Sequence, residues 1–167
     1  RIGDHATNLM WVSKELHEKG TQFSEEAMQE IEVLNEAIYE LLDITVKAFE
    51  ENNLRLAVLV EPLEQTIDKL VYRMKRNHTI RLQADECTIK LGFAYSDLLT
   101  CYERVADHCS NIAVAIVEAQ KGTYEPHEYL KQVKYTNSEA FEEKYNEYKT
   151  RYYIPKKEVK KEINEKQ

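Results

Sequence analysis

Glycine and proline are scarce, with 4 and 3 residues in a chain of 167. That scarcity argues against many short strands, because such chains are punctuated by Gly- and Pro-rich turns. The cysteines Cys87, Cys101 and Cys109 cannot all pair within one chain, and none forms a CxxC. No disulfide framework is legible, and reduced thiols in a cytosolic setting are the expectation. Long apolar runs are missing as well. The longest, Leu56-Ala57-Val58-Leu59-Val60 and Ile112-Ala113-Val114-Ala115-Ile116-Val117, fall far short of the ~20 residues that span a bilayer. Positive charge is in deficit: the formal net charge is −7, which argues against a general nucleic-acid binder. The one basic run, Lys156, Lys157, Lys160 and Lys161, reads as a solvated tail. No HExxH, P-loop, GxSxG or Glu-x-x-His occurs, so the common protease, nucleotide, hydrolase and di-iron signatures are absent.

What is present is helical periodicity. Hydrophobic residues make up 43% of the chain and charged residues 32%, enough for a core beneath a charged surface. A first helix is expected to run to about Lys19 and stop at Gly20, a suitable C-terminal cap. Ser24 caps a second helix whose stripe is Met28, Ile31, Leu34, Ile38, Leu41, Leu42, Thr45 and Phe49, ending at Asn52-Asn53. A third, about 54–82, carries Leu56, Leu59, Val60, Leu63, Ile67, Leu70, Val71 and Met74. Pro62 inside it predicts a kink near Val58, or a late start. A fourth, about 87–121, carries Leu91, Ala94, Tyr95, Leu98, Leu99, Tyr102, Val105, Ala106, Cys109, Ile112 and Ile116. After Pro126, Tyr129, Val133, Phe141, Tyr145, Tyr148 and Tyr152 predict two short helices docked on the bundle, which Pro155 ends. The fold class is therefore all-α.

One stretch occurs twice. Arg1-Ile2-Gly3-Asp4-His5-Ala6-Thr7-Asn8-Leu9 is repeated as Arg104-Val105-Ala106-Asp107-His108-Cys109-Ser110-Asn111-Ile112. Internal similarity of this kind implies a duplicated architecture, and the first copy opens mid-motif. The expected organisation is residues 1–20 as the last helix of a truncated first repeat, 24–122 as a complete antiparallel three-helix bundle, 126–155 as a helical extension and 156–167 as a disordered tail.

Acidic pairs lie beside the apolar stripes. Glu103 and Asp107 are four apart and share a helix face, with Asn111 continuing the line; Glu64 and Asp68 repeat the spacing on the preceding helix, with Glu61 one turn earlier. Such acids repel each other, and partial burial would add desolvation unless a cation compensates. A metal bridged between the two helices would resolve the conflict, and oxygen-rich sets suit Mg, Ca or Mn, or with imidazole Fe, Ni or Zn. The plain alternative is a solvated acidic face salt-bridged by Lys69, Arg73, Arg76 or Arg104. Cys101 and Cys109 are expected in the core, and His78 at the surface or a helix end.

The string Tyr102-Glu103-Arg104-Val105-Ala106-Asp107-His108-Cys109-Ser110-Asn111-Ile112-Ala113 resembles the signature of the PhoU family of phosphate uptake regulators. So does the opening Arg1-to-Asn8 copy, and Glu64-Gln65-Thr66-Ile67-Asp68-Lys69-Leu70 is similar to the acid motif on that family's middle helix. The segments Arg76-Asn77-His78-Thr79-Ile80-Arg81-Leu82 and Asp97-Leu98-Leu99, with His127-Glu128-Tyr129-Leu130 and the tyrosine-rich tail, resemble the PhoU-like domain of bacterial sodium/phosphate cotransporter-related proteins. The resemblance implies paired three-helix bundles and multinuclear metal on E(D)-x-x-x-D pairs. Glu64, Asp68, Glu103 and Asp107 would form one metal set and Asp4 part of a second, with Fe, Zn, Mn or Ni as the ion. It implies a non-enzymatic regulator of phosphate transport on the cytoplasmic side of the membrane, attached to an upstream transmembrane transporter domain, with phosphate as a further ligand. Association into homo-oligomers through the truncated first repeat would follow. The alternative is a free-standing PhoU-type signalling adaptor; a metal-dependent phosphohydrolase or oxidase is a third class, for which no nucleophile or base is recognisable.

Overall fold

The computed structural model describes residues 1–121 and 139–158. Five helices are found among them: α1 (Ile2–Glu18), α2 (Glu25–Glu50), α3 (Leu54–Gln83), α4 (Ile89–Lys121) and α5 (Glu139–Arg151). No strand occurs among the described residues. At 1.5 Å per residue, α2 to α4 are rods of roughly 40 to 50 Å.

The boundaries follow local chemistry. Lys19 closes α1, and the left-handed turn after it falls on Gly20 at φ 58°, where the missing Cβ removes the strain. Ser24 starts α2, its hydroxyl accepting from the Ala27 N–H at 3.3 Å. Asn53 starts α3, accepting from the Arg55 and Leu56 N–H groups at 3.0 and 3.3 Å. No late start is therefore needed to accommodate Pro62, and α3 continues through it. The proline removes the bond to the Val58 carbonyl, and Val58 is exposed, leaving water to take that bond. Thr88 precedes α4, and its hydroxyl accepts from the Leu91 N–H at 3.3 Å.

Short turns make α2, α3 and α4 antiparallel neighbours, and each packs on the other two. Their shared core is Leu34, Leu41, Val60, Leu63, Ile67, Met74, Leu99 and Ala106, each fully buried. Cys101 and Cys109 are in the core as expected; burial pushes both thiols up, so they stay protonated and unreactive. The α2 stripe is rotated from the expected one: Met28 and Phe49 face solvent, while Ala27, Ala37 and Ala48 point inward. Small alanines let the neighbouring helices approach closely, whereas a sequence reading favours the bulkier residues.

The outer helices differ. Helix α1 packs on α4 through Ile2, Leu9 and Leu16 yet buries no residue fully, and Trp11 and Met10 remain 56% exposed. Helix α5 lies on α3, and Tyr148, Tyr152 and Ile154 join the core. Arg151 reaches α2, its guanidinium donating to both Glu40 carboxylate oxygens at 3.0 and 2.9 Å, and the Tyr152 hydroxyl donates to the same carboxylate. Part of the expected tail, residues 156–158, lies within the described residues. Lys157 is held on the bundle between Glu26 and Glu86, at 2.5 and 2.6 Å. Of the extension's expected anchors, Tyr129 and Val133 lie outside the described residues, as do Lys160 and Lys161.

Leu34→Ala is expected to lower stability by about 2–5 kcal/mol, and Phe49→Ala to change it by less than about 0.5 kcal/mol, in urea unfolding followed by circular dichroism. Equal losses would show that the α2 stripe is the one first read from the sequence.

Candidate functional site

The acids singled out from the sequence occupy three helices. Glu64 on α3 is buried, whereas Asp68, one turn further on, faces solvent. On α4, Glu103 and Asp107 are half-buried. Glu103 accepts from Lys75 on α3 at 2.7 Å, and Asp107 pairs with Arg104 at 3.5 Å on its own helix. Asp4 is exposed on α1. Among the described residues, no group of three or more His, Cys, Asp or Glu side chains is arranged to hold a metal ion. As placed, the five acids do not fit a multinuclear centre. A bound ion would first have to displace Lys75 and Arg104.

The acidic part of α3 and the repeated motif of α4 nevertheless meet. Buried Glu61 accepts a hydrogen bond from the Ser110 hydroxyl at 2.6 Å, and Ser110 sits between His108 and Asn111. The twin motifs also face each other. Helix α1 runs antiparallel to α4, and the His5 and His108 rings, at equivalent motif positions, stand 5.4 Å apart.

A second polar cluster sits towards the far end of the bundle and was not singled out from the sequence. Glu30 of α2 is 7% exposed and Arg81 of α3 1%. The guanidinium donates to both oxygens of Glu30 at 3.1 and 2.8 Å. Tyr95 of α4 donates to the same carboxylate at 2.6 Å, and the Asn77 side-chain amide at 2.7 Å. Three helices are thus tied to one carboxylate. Asn77 then reaches the C-terminal segment, its amide donating to the Pro155 carbonyl at 2.9 Å and its oxygen accepting from the Lys157 backbone N–H at 2.9 Å. Above this strap lies a cavity of about 520 Å³ bordered by Glu26, Gln29, Tyr153 and Lys156.

Charge and burial act together here. Burial alone would lower the Arg81 guanidinium, but the hydrogen bonds and charge of Glu30 hold it above its usual value. Burial, then the Glu30 charge, pushes the Tyr95 phenol well up, so it remains a donor. His78 packs tilted against Tyr95 at 4.8 Å between ring centroids; of the surface or helix-end position expected for it, it takes the helix end and is buried there. Burial and the nearby Arg81 charge push its imidazole below 6.5. Its Nε2 is buried with no hydrogen-bond partner.

Comparison with known proteins places this architecture. The family model described as PhoU domain matches residues 31–116, more than half of the chain and all of the Glu61 and Ser110 region. The chain belongs to the PhoU domain family. It is also similar to the Phosphate-specific transport system accessory protein PhoU homolog 1 of Thermotoga maritima, at 24% identity over 122 residues. That alignment covers 73% of this chain but 52% of the relative, so the chain spans about half the relative's length. No solved structure matches it.

Within this PhoU-family bundle the sequence did carry a signal for the second cluster. Asn77, His78 and Arg81 extend the α3 core stripe at spacings of three and four, so their polar side chains continue the line of Leu70 and Met74 into the interior. Glu30 likewise occupies an inward position on α2. Charged residues on an apolar stripe indicate a buried pair whenever the partner helix supplies the opposite charge.

Arg81→Met is expected to destabilise the protein by about 3–5 kcal/mol by leaving the Glu30 carboxylate uncompensated; adding Glu30→Leu should restore a substantial part, measured by a double-mutant cycle in urea. A second expectation concerns pH. The unfolded chain protonates His78 at its ordinary 6.5, while the folded value is lower. The His78 contribution is thus fully present above pH 6.5 and lost as pH falls through the folded value. His78→Phe should lose less stability than the unaltered protein between about pH 7 and pH 5, read from unfolding midpoints.

Proposed function

We propose that this chain is a non-enzymatic PhoU-type regulatory module in phosphate homeostasis. The observation that carries the reading is the family match over α2 to α4, which spans the meeting of acidic α3 with the repeated motif of α4. The name of the Thermotoga maritima relative, an accessory protein of a phosphate-specific transport system, supports the same role. In its finer form, the module is the cytoplasmic PhoU-like domain of a sodium-dependent phosphate transporter, acting on a transmembrane domain of the same polypeptide. The sequence of Arg76 to Leu82 and the tyrosine-rich extension support that form. No helix among the described residues is long and apolar enough to cross a membrane, so any such span would lie elsewhere in the polypeptide.

A free-standing signalling adaptor is the second reading, favoured by the word accessory in the relative's name. Phosphate as a direct ligand and self-association through α1 belong to the proposal as well; the exposed Trp11 and Met10 support the latter.

Metal binding by Glu64, Asp68, Glu103, Asp107 and Asp4 is proposed only as a state that competes with the ion pairs now present. Carboxylates in such a set would act as oxygen ligands for Fe, Zn, Mn or Ni, after Lys75 and Arg104 release Glu103 and Asp107.

The test is reconstitution with each of the four metals, then elemental analysis after gel filtration. Bound metal that Asp107→Asn removes, and that Lys75→Met increases, is the expected result. Metal content at background in all three proteins refutes the metal component and leaves the regulatory one. The latter is tested separately, by whether removal of the gene leaves the phosphate-starvation response unchanged.

A further inference from the structure

Between the C-terminal end of α3 and the start of α4 lies a second cavity, of about 290 Å³. Its floor carries the unpartnered Nε2 of His78. That nitrogen is shielded from solvent, and two features govern access to it. Position 92 has no side chain, and a Cβ there would stand 3.0 Å from Nε2 and 3.4 Å from the nearer Leu82 methyl. The rim is apolar and open: Ile89 and Phe93, one turn apart on α4, are 73% and 69% exposed. An exposed apolar rim, a missing side chain and a buried nitrogen without a partner thus coincide at one place.

We propose that this cavity binds a small uncharged amphiphile, an aromatic or branched apolar body bearing one hydroxyl or carbonyl oxygen that hydrogen-bonds His78 Nε2. The size follows from the volume. Benzene fills an apolar cavity of about 150 Å³, so about twice that space takes some ten to twelve non-hydrogen atoms. The absence of charge follows from the neighbours. Behind His78 stands Tyr95, which donates to the Glu30 carboxylate at 2.6 Å, and that carboxylate is itself paired with the Arg81 guanidinium, so the buried charges are matched to each other and offer a ligand ion no unpaired partner. Lys75 at the mouth is already paired with Glu103 at 2.7 Å and supplies no spare positive charge. The imidazole itself is neutral, able to accept from a hydroxyl or to donate to a carbonyl according to its tautomer. Leu82 swings aside to admit the oxygen. The inference does not depend on the phosphate reading, and it holds for the metal-free state in which Lys75 keeps Glu103.

The experiment uses the full 167-residue chain and two probes, 2-naphthol and naphthalene, which differ by the hydroxyl alone. Binding is followed by probe fluorescence and by the imidazole nitrogen signals of His78 in long-range ¹H–¹⁵N spectra. The expected result is a shift of the His78 Nε2 signal with 2-naphthol, and at least fivefold tighter binding of 2-naphthol than of naphthalene. His78→Phe should fold with undiminished thermal stability and lose that preference, because the nitrogen is not needed by the fold. Gly92→Ala, which blocks the nitrogen while favouring the helix, should weaken 2-naphthol at least tenfold. The proposal is overturned if 2-naphthol at millimolar concentration leaves the His78 signals unmoved, as when the nitrogen is satisfied by water only. It is equally overturned if His78→Phe retains the preference, or if the Ile89 and Phe93 face is buried in a dimer that excludes the probe.

Discussion

One carboxylate organises the end of this bundle. Glu30 is removed from water, so its charge must be met in full, and Arg81, Tyr95 and Asn77 do so from two other helices. A bidentate guanidinium fixes both distance and orientation, which a lysine would not. The cluster therefore acts less as a source of net stability than as a register mark. Sliding α2 against α3 by a turn would strand a buried charge, a loss that apolar packing alone would not impose. The bundle's apolar contacts are interchangeable in kind, and this contact is not.

The repeated motif works at the other end by a different logic. Its contacts among the described residues include half-exposed ion pairs and a buried bond from Ser110 to Glu61. Surface pairs of this sort contribute little and rearrange easily. A module that responds to a ligand or partner needs such a region, whereas the Glu30 cluster supplies a fixed frame for it.

Much of this was legible in the sequence. The four helices, the cap at Ser24, the burial of Cys101 and Cys109, and the PhoU resemblance all followed from periodicity, cap chemistry and a specific string; Asn53, read only as the end of α2, proved to cap α3 as well. The errors have physical sources. Phe49 and Met28 were assigned inward on periodicity, but at the two ends of α2 the buried positions are Ala27 and Ala48, each one residue away. His78 was assigned outward because a lone polar residue near a helix end is commonly solvated. Its burial depends on Tyr95, seventeen residues further on and on another helix. The acid pairs were matched to Lys69, Arg73, Arg76 or Arg104; Arg104 does meet Asp107, but Lys75 takes Glu103, since side-chain reach across α3 and α4 depends on helix rotation that spacing does not specify.

The grip of Asn77 on Pro155 and Lys157 joins points 78 and 80 positions apart along the chain. Closing so wide a loop carries an entropic cost that grows slowly with its length, and it returns little until the helices beneath have found their places. The C-terminal segment must accordingly settle after the bundle has closed, as a finishing seam laid over a completed frame.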